Sequence, residues 1–358
     1  MKKRADGRYC KQILVGYKPD GKRIMKSIYG RTIKEVEKQE RELRNQIDSG
    51  LVISTKQNIS LAEWADLWLN TYKNNVSYNT KAMYVNAIQV HIKPTLGNIP
   101  VSKIKPVQIQ GLINTLVEKG SIRTAEVVKL TLEQLFRQAV TEGYINKNVT
   151  DGLNAIKRND NEKRILTAEE IKAIKKADLT SKQRLFIDIM RYCGLRKGEA
   201  LALTIEDIDL ENHNLSVNKS LYHADNNAHI KEPKSKAGYR TIPLIDVIYD
   251  ELKAYIDTLN DTILFSMTDG SYMTKSSYRK FWDGIMKAIN KVSDAEINFT
   301  AHTCRHSYAT DLYFSKVDVK TAQYLLGHSS LQMTLGVYTH IDEDHIRSEI
   351  EKFNQYLA

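Results

Sequence analysis

The stretch AHTCRHSYAT, which begins at Ala301, sets His302 and Arg305 one helical turn apart and follows them with His306. Side chains at that spacing share a helix face, and an imidazole beside a guanidinium is suited to gripping a phosphate. Three further islands in the same part of the chain have compatible chemistry. In YCGLRKGEALAL, Arg196 follows a Gly-Leu turn at a helix start, where free backbone N–H groups and the positive dipole end favour anions. In KEPKSKAGYRTIPL, Lys234 and Lys236 fall on an expected β-hairpin with Gly238 near its bend, where a lysine could protonate a departing oxygen. In YLLGHSSLQMTLGVYTH, His328 follows a Leu-Gly break and Tyr338 comes ten residues later. A phenol, with a pKa of about 10, becomes a nucleophile once a base takes its proton and cations hold its target.

Each island alone has a plainer reading. Arg196 could be in a structural salt bridge with Glu199, the lysines could decorate a solvated hairpin, and Tyr338 could be core or surface. His302 and His306 could ligate a metal, but Thr303 replaces the Glu of His-Glu-x-x-His and no acidic ligand stands nearby. Taken together, two arginines, a lysine, two histidines and a tyrosine are what metal-free phosphodiester transfer needs. Guanidinium groups neutralise the charge that spreads over the non-bridging oxygens.

The elements that must position these residues are mainly helical. Thr167 and Glu170 form a capping box that opens the last segment. Helices follow, then NLSVNKSLYHADNNAHIKEPKSKAGYRTIPL alternates as strands, and helices run to the end. Upstream, residues 8–29 alternate as two strands, with Ile13, Val15 and Tyr17 on one face and Pro19-Asp20-Gly21 as the turn. Thr32 and Glu35 cap a helix expected to run to about Ser49. Ser60 and Glu63 cap another, in which Trp64, Leu67 and Trp68 are expected in a core. Helical patterns follow near 78–93, 106–119 and 121–142, and HIKPTLGNIPVSKIKP reads as a connection broken by Pro and Gly. The predicted organisation is a β-sheet-plus-helix domain over 1–55, a helical domain over 56–156, a linker over 157–164 and a mixed α/β, mostly helical domain over 165–358.

Charge divides the chain unevenly. Residues 1–50 hold 14 Lys+Arg against 7 Asp+Glu, residues 51–160 hold 13 against 8, and residues 161–358 hold 26 against 28, giving the net +10. A basic front half beside a near-neutral back half points to a polyanion partner. Arg8, Lys11, Lys22 and Arg23 on the ribbon, Lys81 on a helix, and Lys236 and Arg240 near the hairpin are the candidate DNA contacts. A two-stranded ribbon can enter a major groove. Three well-separated cysteines argue for a reducing, cytoplasmic setting. No apolar run is long enough to predict a membrane span, and the basic N-terminus has no apolar core of a secretory signal.

The segments G-L-R-K-G-E around Arg196, P-K-S-K…R-T-I-P-L around Lys234, H-T-C-R-H at His302–His306, L-G-H-S-S at His328 and V-Y-T-H at Tyr338 resemble, in this order, the catalytic set of the tyrosine recombinases, or phage integrase family. The front half resembles integrases of conjugative transposons and related phages. The resemblance implies an arm-type DNA-binding domain, a helical core-binding domain and a catalytic domain acting on double-stranded DNA. It implies that Tyr338 attacks a scissile phosphate to give a 3′-phosphotyrosyl link and a 5′-hydroxyl, which a partner strand then reseals. Arg196 and Arg305 would hold non-bridging oxygens, His302 would serve tyrosine deprotonation, His328 would bond a phosphate oxygen, and Lys234, or else Lys236, would be the general acid. It implies no metal or other cofactor, a homo-tetramer on DNA, an excision factor or host DNA-bending protein as accessory, and action in the bacterial cytoplasm at the nucleoid. The tail IDEDHIRSEIEKFNQYL has an amphipathic pattern with Ile346, Ile350 and Phe353 on one face. Two rivals are also compatible with the sequence: a type IB topoisomerase-like enzyme and a catalytically silent DNA-binding regulator.

Overall fold

In the computed structural model, residues 1, 3–17, 23–48, 59–157, 164–338 and 350 are described. The chain divides into two compact units, Met1–Asp160 and Asn161–Ala358.

The first unit opens with an antiparallel ribbon of β1 (Tyr9–Tyr17) and β2 (Arg23–Gly30), with a register shift between Leu14 and Gly16. The expected turn at Pro19-Asp20-Gly21, Lys22 and the Tyr17 side chain lie outside the described residues. Alternation turns Ile13, Val15 and Ile28 inward, where they meet Val36 and Leu43 of α1 (Ile33–Asp48). Thr32 and Glu35 exchange the two hydrogen bonds of the predicted cap. The opposite face exposes Gln12, Leu14, Met25 and Tyr29.

A second core belongs to α2 (Leu61–Tyr72), α3 (Tyr78–Asn86), α4 (Lys93–Leu96), α5 (Pro106–Glu118) and α6 (Ile122–Thr141). Ser60 and Glu63 cap α2 as the sequence predicts. Trp64 and Trp68 are buried, but Leu67 is 46% exposed. The buried stripe of α2 is Leu61, Trp64, Ala65, Trp68 and Leu69, and Leu67 points away from it. The expected break before Pro94 does not occur. A π-helical turn, Ala87–Ile92, joins α3 to α4, and the Lys93 N–H bonds back to the Ile88 carbonyl. The wider register relieves the clash that a proline ring makes with the preceding turn of an α-helix.

The second unit contains α7 (Ala168–Lys176), α8 (Ser181–Tyr192) and α9 (Lys197–Ala200). Thr167 and Glu170 cap α7, again as predicted. Five short strands follow: β3 (Ile208–Asp209), β4 (Asn214–Val217), β5 (Ser220–Ala224), β6 (Asn227–Lys231) and β7 (Arg240–Pro243). They form a sheet in the order β3-β4-β7 and a separate β5-β6 hairpin. The helices α10 (Asp246–Ile256), α11 (Lys275–Asn290), α12 (Ala301–Phe314), α13 (Val319–Leu326) and α14 (Leu331–Tyr338) complete it. The core centres on α8, with Phe186 edge-on to Phe265 at 5.0 Å between ring centroids.

The hairpin differs from its sequence reading. Its bend is Asp225-Asn226, at φ 46° and 70°, rather than the region of Gly238. Two residues in the left-handed region make the tight turn that matches strand twist, and Asp and Asn tolerate it. Gly238 serves a close approach instead: a Cβ there would lie 2.4 Å from Cβ of Pro233. Lys234 and Lys236 therefore lie on the loop between β6 and β7.

Candidate active site

The site begins at the loop before α9. Arg196 is the N-cap of that short helix, so its backbone N–H is free to donate to Glu199 Oε2 at 2.9 Å. Its guanidinium Nη1 donates to Glu199 Oε1 at 2.7 Å, and Nη2 to the Gly327 carbonyl at 2.9 Å. The salt bridge to Glu199 is real, and Arg196 also keeps about a third of its side chain open (35% exposed). Burial pushes the Glu199 carboxyl up, but the Arg240 hydrogen bond and the charges of Arg240 and Arg196 outweigh it and hold the pKa at about 2.

Arg305, on α12, is enclosed and donates to the carbonyls of Gly194 and Leu326. Burial and the neighbouring positive charge of Arg196 lower its pKa to about 9, so it keeps its charge at neutral pH. His302 lies one turn earlier on the same helix and is exposed. Partial desolvation of the imidazole on its inner side, then the charges of Arg305, Arg196 and Lys197, hold its pKa below the ordinary 6.5, which favours a neutral imidazole at physiological pH. The rings of His302 and His306 meet edge to face at 5.1 Å.

His328 is presented by the end of α13. Gly327 takes φ 60°, ψ 44°, the left-handed cap that closes that helix. A Cβ at Gly327 would lie 2.8 Å from Arg240 Nη1 and 3.1 Å from the Ala237 carbonyl oxygen, so glycine is required twice over. His328 Nδ1 shares a hydrogen bond with the buried hydroxyl of Thr334 on α14, at 3.0 Å. That bond fixes the orientation of the ring at the edge of the site.

These groups surround two cavities. One, of about 300 Å³, is lined by Arg196, His302, Arg305, His306, His328 and Met333 among others. The other, of about 320 Å³, includes Arg196, Lys231, Lys234, Ser235, Ser329 and Met333. Arg196 and Met333 belong to both. The structure thus places Lys234 in a cavity that shares Arg196 with the one lined by the histidines and Arg305. Lys236 is exposed and is not among the lining residues. Tyr338 is the last residue of α14, the helix that supplies Thr334 and Met333, and its side chain lies outside the described residues.

The remaining candidates are scattered. Arg8 is exposed and pairs with Asp6 at 2.9 Å. Lys11 pairs with Glu40 of α1 and so faces the helix side of the ribbon. Arg23 is exposed and Lys81 is half-buried. Arg240, expected on a DNA-facing surface, is instead enclosed: its side chain has no exposure and donates to Glu199 Oε2 and the Leu325 carbonyl, both at 2.8 Å. Within β7 the alternation exposes Thr241 instead, and Tyr239, just before the strand, is also exposed. Sequence reasoning missed Lys231 and the bridging role of Arg240. The R-T-I-P-L alternation, which buries Arg240 with Ile242, was the signal for the latter.

Among the described residues, no cluster of three or more His, Cys, Asp or Glu side chains is placed to hold a metal ion, and no helix is long and apolar enough to cross a membrane.

Comparison with known proteins gives a consistent picture. The phage integrase family profile matches residues 160–345, and that of the phage integrase N-terminal SAM-like domain matches residues 60–117. A tyrosine recombinase XerC-like protein of Caldanaerobacter subterraneus subsp. tengcongensis is 29% identical, covering 97% of this chain and 95% of its own. The transposase of transposon Tn916 from Enterococcus faecalis is 27% identical, covering 88% of this chain and 82% of its own. Among solved structures, the Tn1549 transposon integrase in complex with a circular intermediate DNA superimposes with a TM-score of 0.72 at 26% identity, over 82% of this chain and 99% of that one.

Proposed function

The chain belongs to the phage integrase family and is a tyrosine recombinase, and on that premise we propose how its own residues carry out site-specific strand exchange for a mobile element of the conjugative-transposon type. The observation that carries this reading is the convergence of Arg196, His302, Arg305 and His328 on one cavity that shares Arg196 with the cavity of Lys234.

The scissile phosphate sits in that cavity, with Arg196 and Arg305 on its non-bridging oxygens and His328 bonded to one of them. Neutral His302 accepts the phenolic proton of Tyr338. The Tyr338 Oη–P bond forms and the P–O5′ bond breaks, and the departing electron pair on O5′ takes its proton from Lys234. The product is a 3′-phosphotyrosyl link and a free 5′-hydroxyl. The hydroxyl of a partner strand reverses the step on the new duplex, so the bond energy is kept. Developing negative charge meets cationic groups already held in place, and such preorganised electrostatics is the main source of acceleration open to a site of this kind.

We assign residues 1–55 to arm-type DNA sites, 56–156 to the core site, 157–164 to a linker and 165–358 to catalysis. Separate hydrophobic cores around Val36, around Trp64 and around Phe186 support this division. On the ribbon, the exposed face of Gln12, Leu14, Met25 and Tyr29, flanked by Arg8 and Arg23, suits a major groove better than the inner face that holds Lys11. Exchange between two duplexes needs four active sites, hence a homo-tetramer on DNA, with an excision factor or a host DNA-bending protein setting direction at the nucleoid. The tail, apart from Ile350, lies outside the described residues; it is assigned to contact with an adjacent protomer.

A nicked suicide substrate carrying the core site tests the reading. The short strand 3′ of the cut diffuses away and traps the covalent complex. Wild-type protein should accumulate a protein–DNA adduct that survives EDTA. On supercoiled plasmid lacking the site it should relax nothing. Relaxation without a site would point to a topoisomerase, and absence of any adduct would leave a DNA binder.

A further inference from the structure

Arg240 lies behind the cavity rather than in it, yet it reaches the supports of both arginines that line it. Its Nη2 donates to Glu199 Oε2 at 2.8 Å, and the other oxygen of that carboxylate holds Arg196 Nη1 at 2.7 Å. Its Nε donates to the Leu325 carbonyl at 2.8 Å. The next two carbonyls along, of Leu326 and Gly327, accept from Arg305 and from Arg196 respectively. Arg240 also opens β7 directly after the loop of Lys234, and its Nη1 packs at the Gly327 cap. One buried guanidinium therefore ties the carboxylate that orients Arg196 to the run of chain whose carbonyls orient Arg196 and Arg305.

A fully enclosed ion pair is a poor source of stability, because well-packed apolar side chains do as well. What it supplies is direction: a planar fork fixes its partners in angle as well as distance. Glu199 would otherwise have only Arg196 to hold it, and Arg196 would swing with it.

We infer that Arg240 is a positioning residue for DNA cleavage: through Glu199 and the Leu325 carbonyl it sets the Arg196 guanidinium and the Leu326–Gly327 carbonyls in the orientation that receives the scissile phosphate. This rests on Arg196 binding a non-bridging oxygen, as proposed above. In this role Arg240 acts through Arg196 and Arg305, not on the reacting atoms.

The test compares full-length wild type with Arg240→Lys and Glu199→Gln on two nicked substrates. One has an ordinary scissile phosphate; the other has a methylphosphonate there, which replaces a charged non-bridging oxygen by a neutral methyl. Misplacing a charge-neutralising group should cost about 100-fold in adduct formation on the diester. On the methylphosphonate there is less charge to neutralise, so each variant should come within about 5-fold of wild type on that same substrate. Thermal melts identify any variant that does not fold, and the other then carries the comparison. Equal losses on both substrates would show a merely structural role, and wild-type rates on the diester would show none; either overturns the inference. A wild type that forms no adduct on either substrate would instead overturn the proposed chemistry.

Discussion

Replacing Gly327 by alanine should damage stability and cleavage together, and the size of each effect follows from the geometry. An alanine at φ 60° is in the left-handed region, which costs about 1–2 kcal/mol. Its Cβ would stand 2.8 Å from Arg240 Nη1 and 3.1 Å from the Ala237 carbonyl oxygen. Arg240 is enclosed and hydrogen-bonded at both ends, so it cannot yield as a surface arginine would, and overpacking of this kind costs about 1–3 kcal/mol. The sum, roughly 2–5 kcal/mol, corresponds to a fall in Tm of about 2–4 °C per kcal/mol for a unit of this size. Relieving the clash moves the Gly327 carbonyl that accepts from Arg196 Nη2, so adduct formation should fall about 100-fold at a temperature where the variant is still folded. Gly327→Asn separates the contributions, because Asn tolerates the left-handed region better but carries the same Cβ. It should recover part of the Tm and little of the rate. Melting by circular dichroism and gel-resolved adduct formation read both. A Tm within about 1 °C of wild type would refute the packing argument. A lowered Tm with an unchanged rate would show that this carbonyl does not hold Arg196.

Further outcomes are expected elsewhere. The acid limb of the cleavage rate should lie below pH 6.5, because His302 must be neutral to take the phenolic proton and its pKa is depressed; Lys197→Gln, which removes one of the depressing charges, should move the limb upward. A pH–rate profile with an acid limb at or above 6.5 in wild type would argue against His302 as the base. Lys234→Ala should cleave poorly on a normal substrate and recover on one with a 5′-bridging sulfur, whose thiolate leaves without a proton, whereas Lys236→Ala should stay within about 3-fold of wild type throughout. Away from the site, the carboxyls of Asp188 and Glu251 are close enough to influence each other; burial and then the Asp188 charge raise Glu251 to about 7, and burial raises Asp188 as well. Raised carboxyls favour the folded state while protonated, so their contribution is present below the unfolded value near 4.5 and is lost as pH rises through about 7. Urea melts should show lower stability at pH 8 than at pH 6, and Glu251→Gln should flatten that difference; an unchanged slope in the variant would dispose of the assignment.

Much of this architecture is legible in the sequence where local chemistry decides it. The capping boxes at Thr32, Ser60 and Thr167 announce helix starts because two backbone donors are satisfied by residues three apart. The six chemical positions stand out as residue types that a core does not otherwise want. What stayed hidden depends on neighbours distant in the chain. Pro94 reads as a break, but a π-turn accommodates it because the helix is held by tertiary packing. Gly238 reads as a bend, but its glycine is demanded by Pro233, while Asp225-Asn226 makes the turn. Leu67 reads as core, but the buried stripe of α2 passes it by. Arg240 reads as a surface cation, and only its contacts with Glu199 and with Leu325, 85 residues on, show why a charge is buried there.

Everything in the proposed chemistry converges on one bond, between the phenolic oxygen of Tyr338 and the scissile phosphorus. Proteolysis of the adduct trapped on the suicide substrate, followed by mass spectrometry of the DNA-linked peptide, measures that bond directly. The expected result is a peptide containing Tyr338 joined to a 3′-phosphate, a free 5′-hydroxyl on the released strand, and no adduct from Tyr338→Phe. Linkage through another residue, linkage to a 5′-phosphate, or an undiminished adduct from the phenylalanine variant would contradict it.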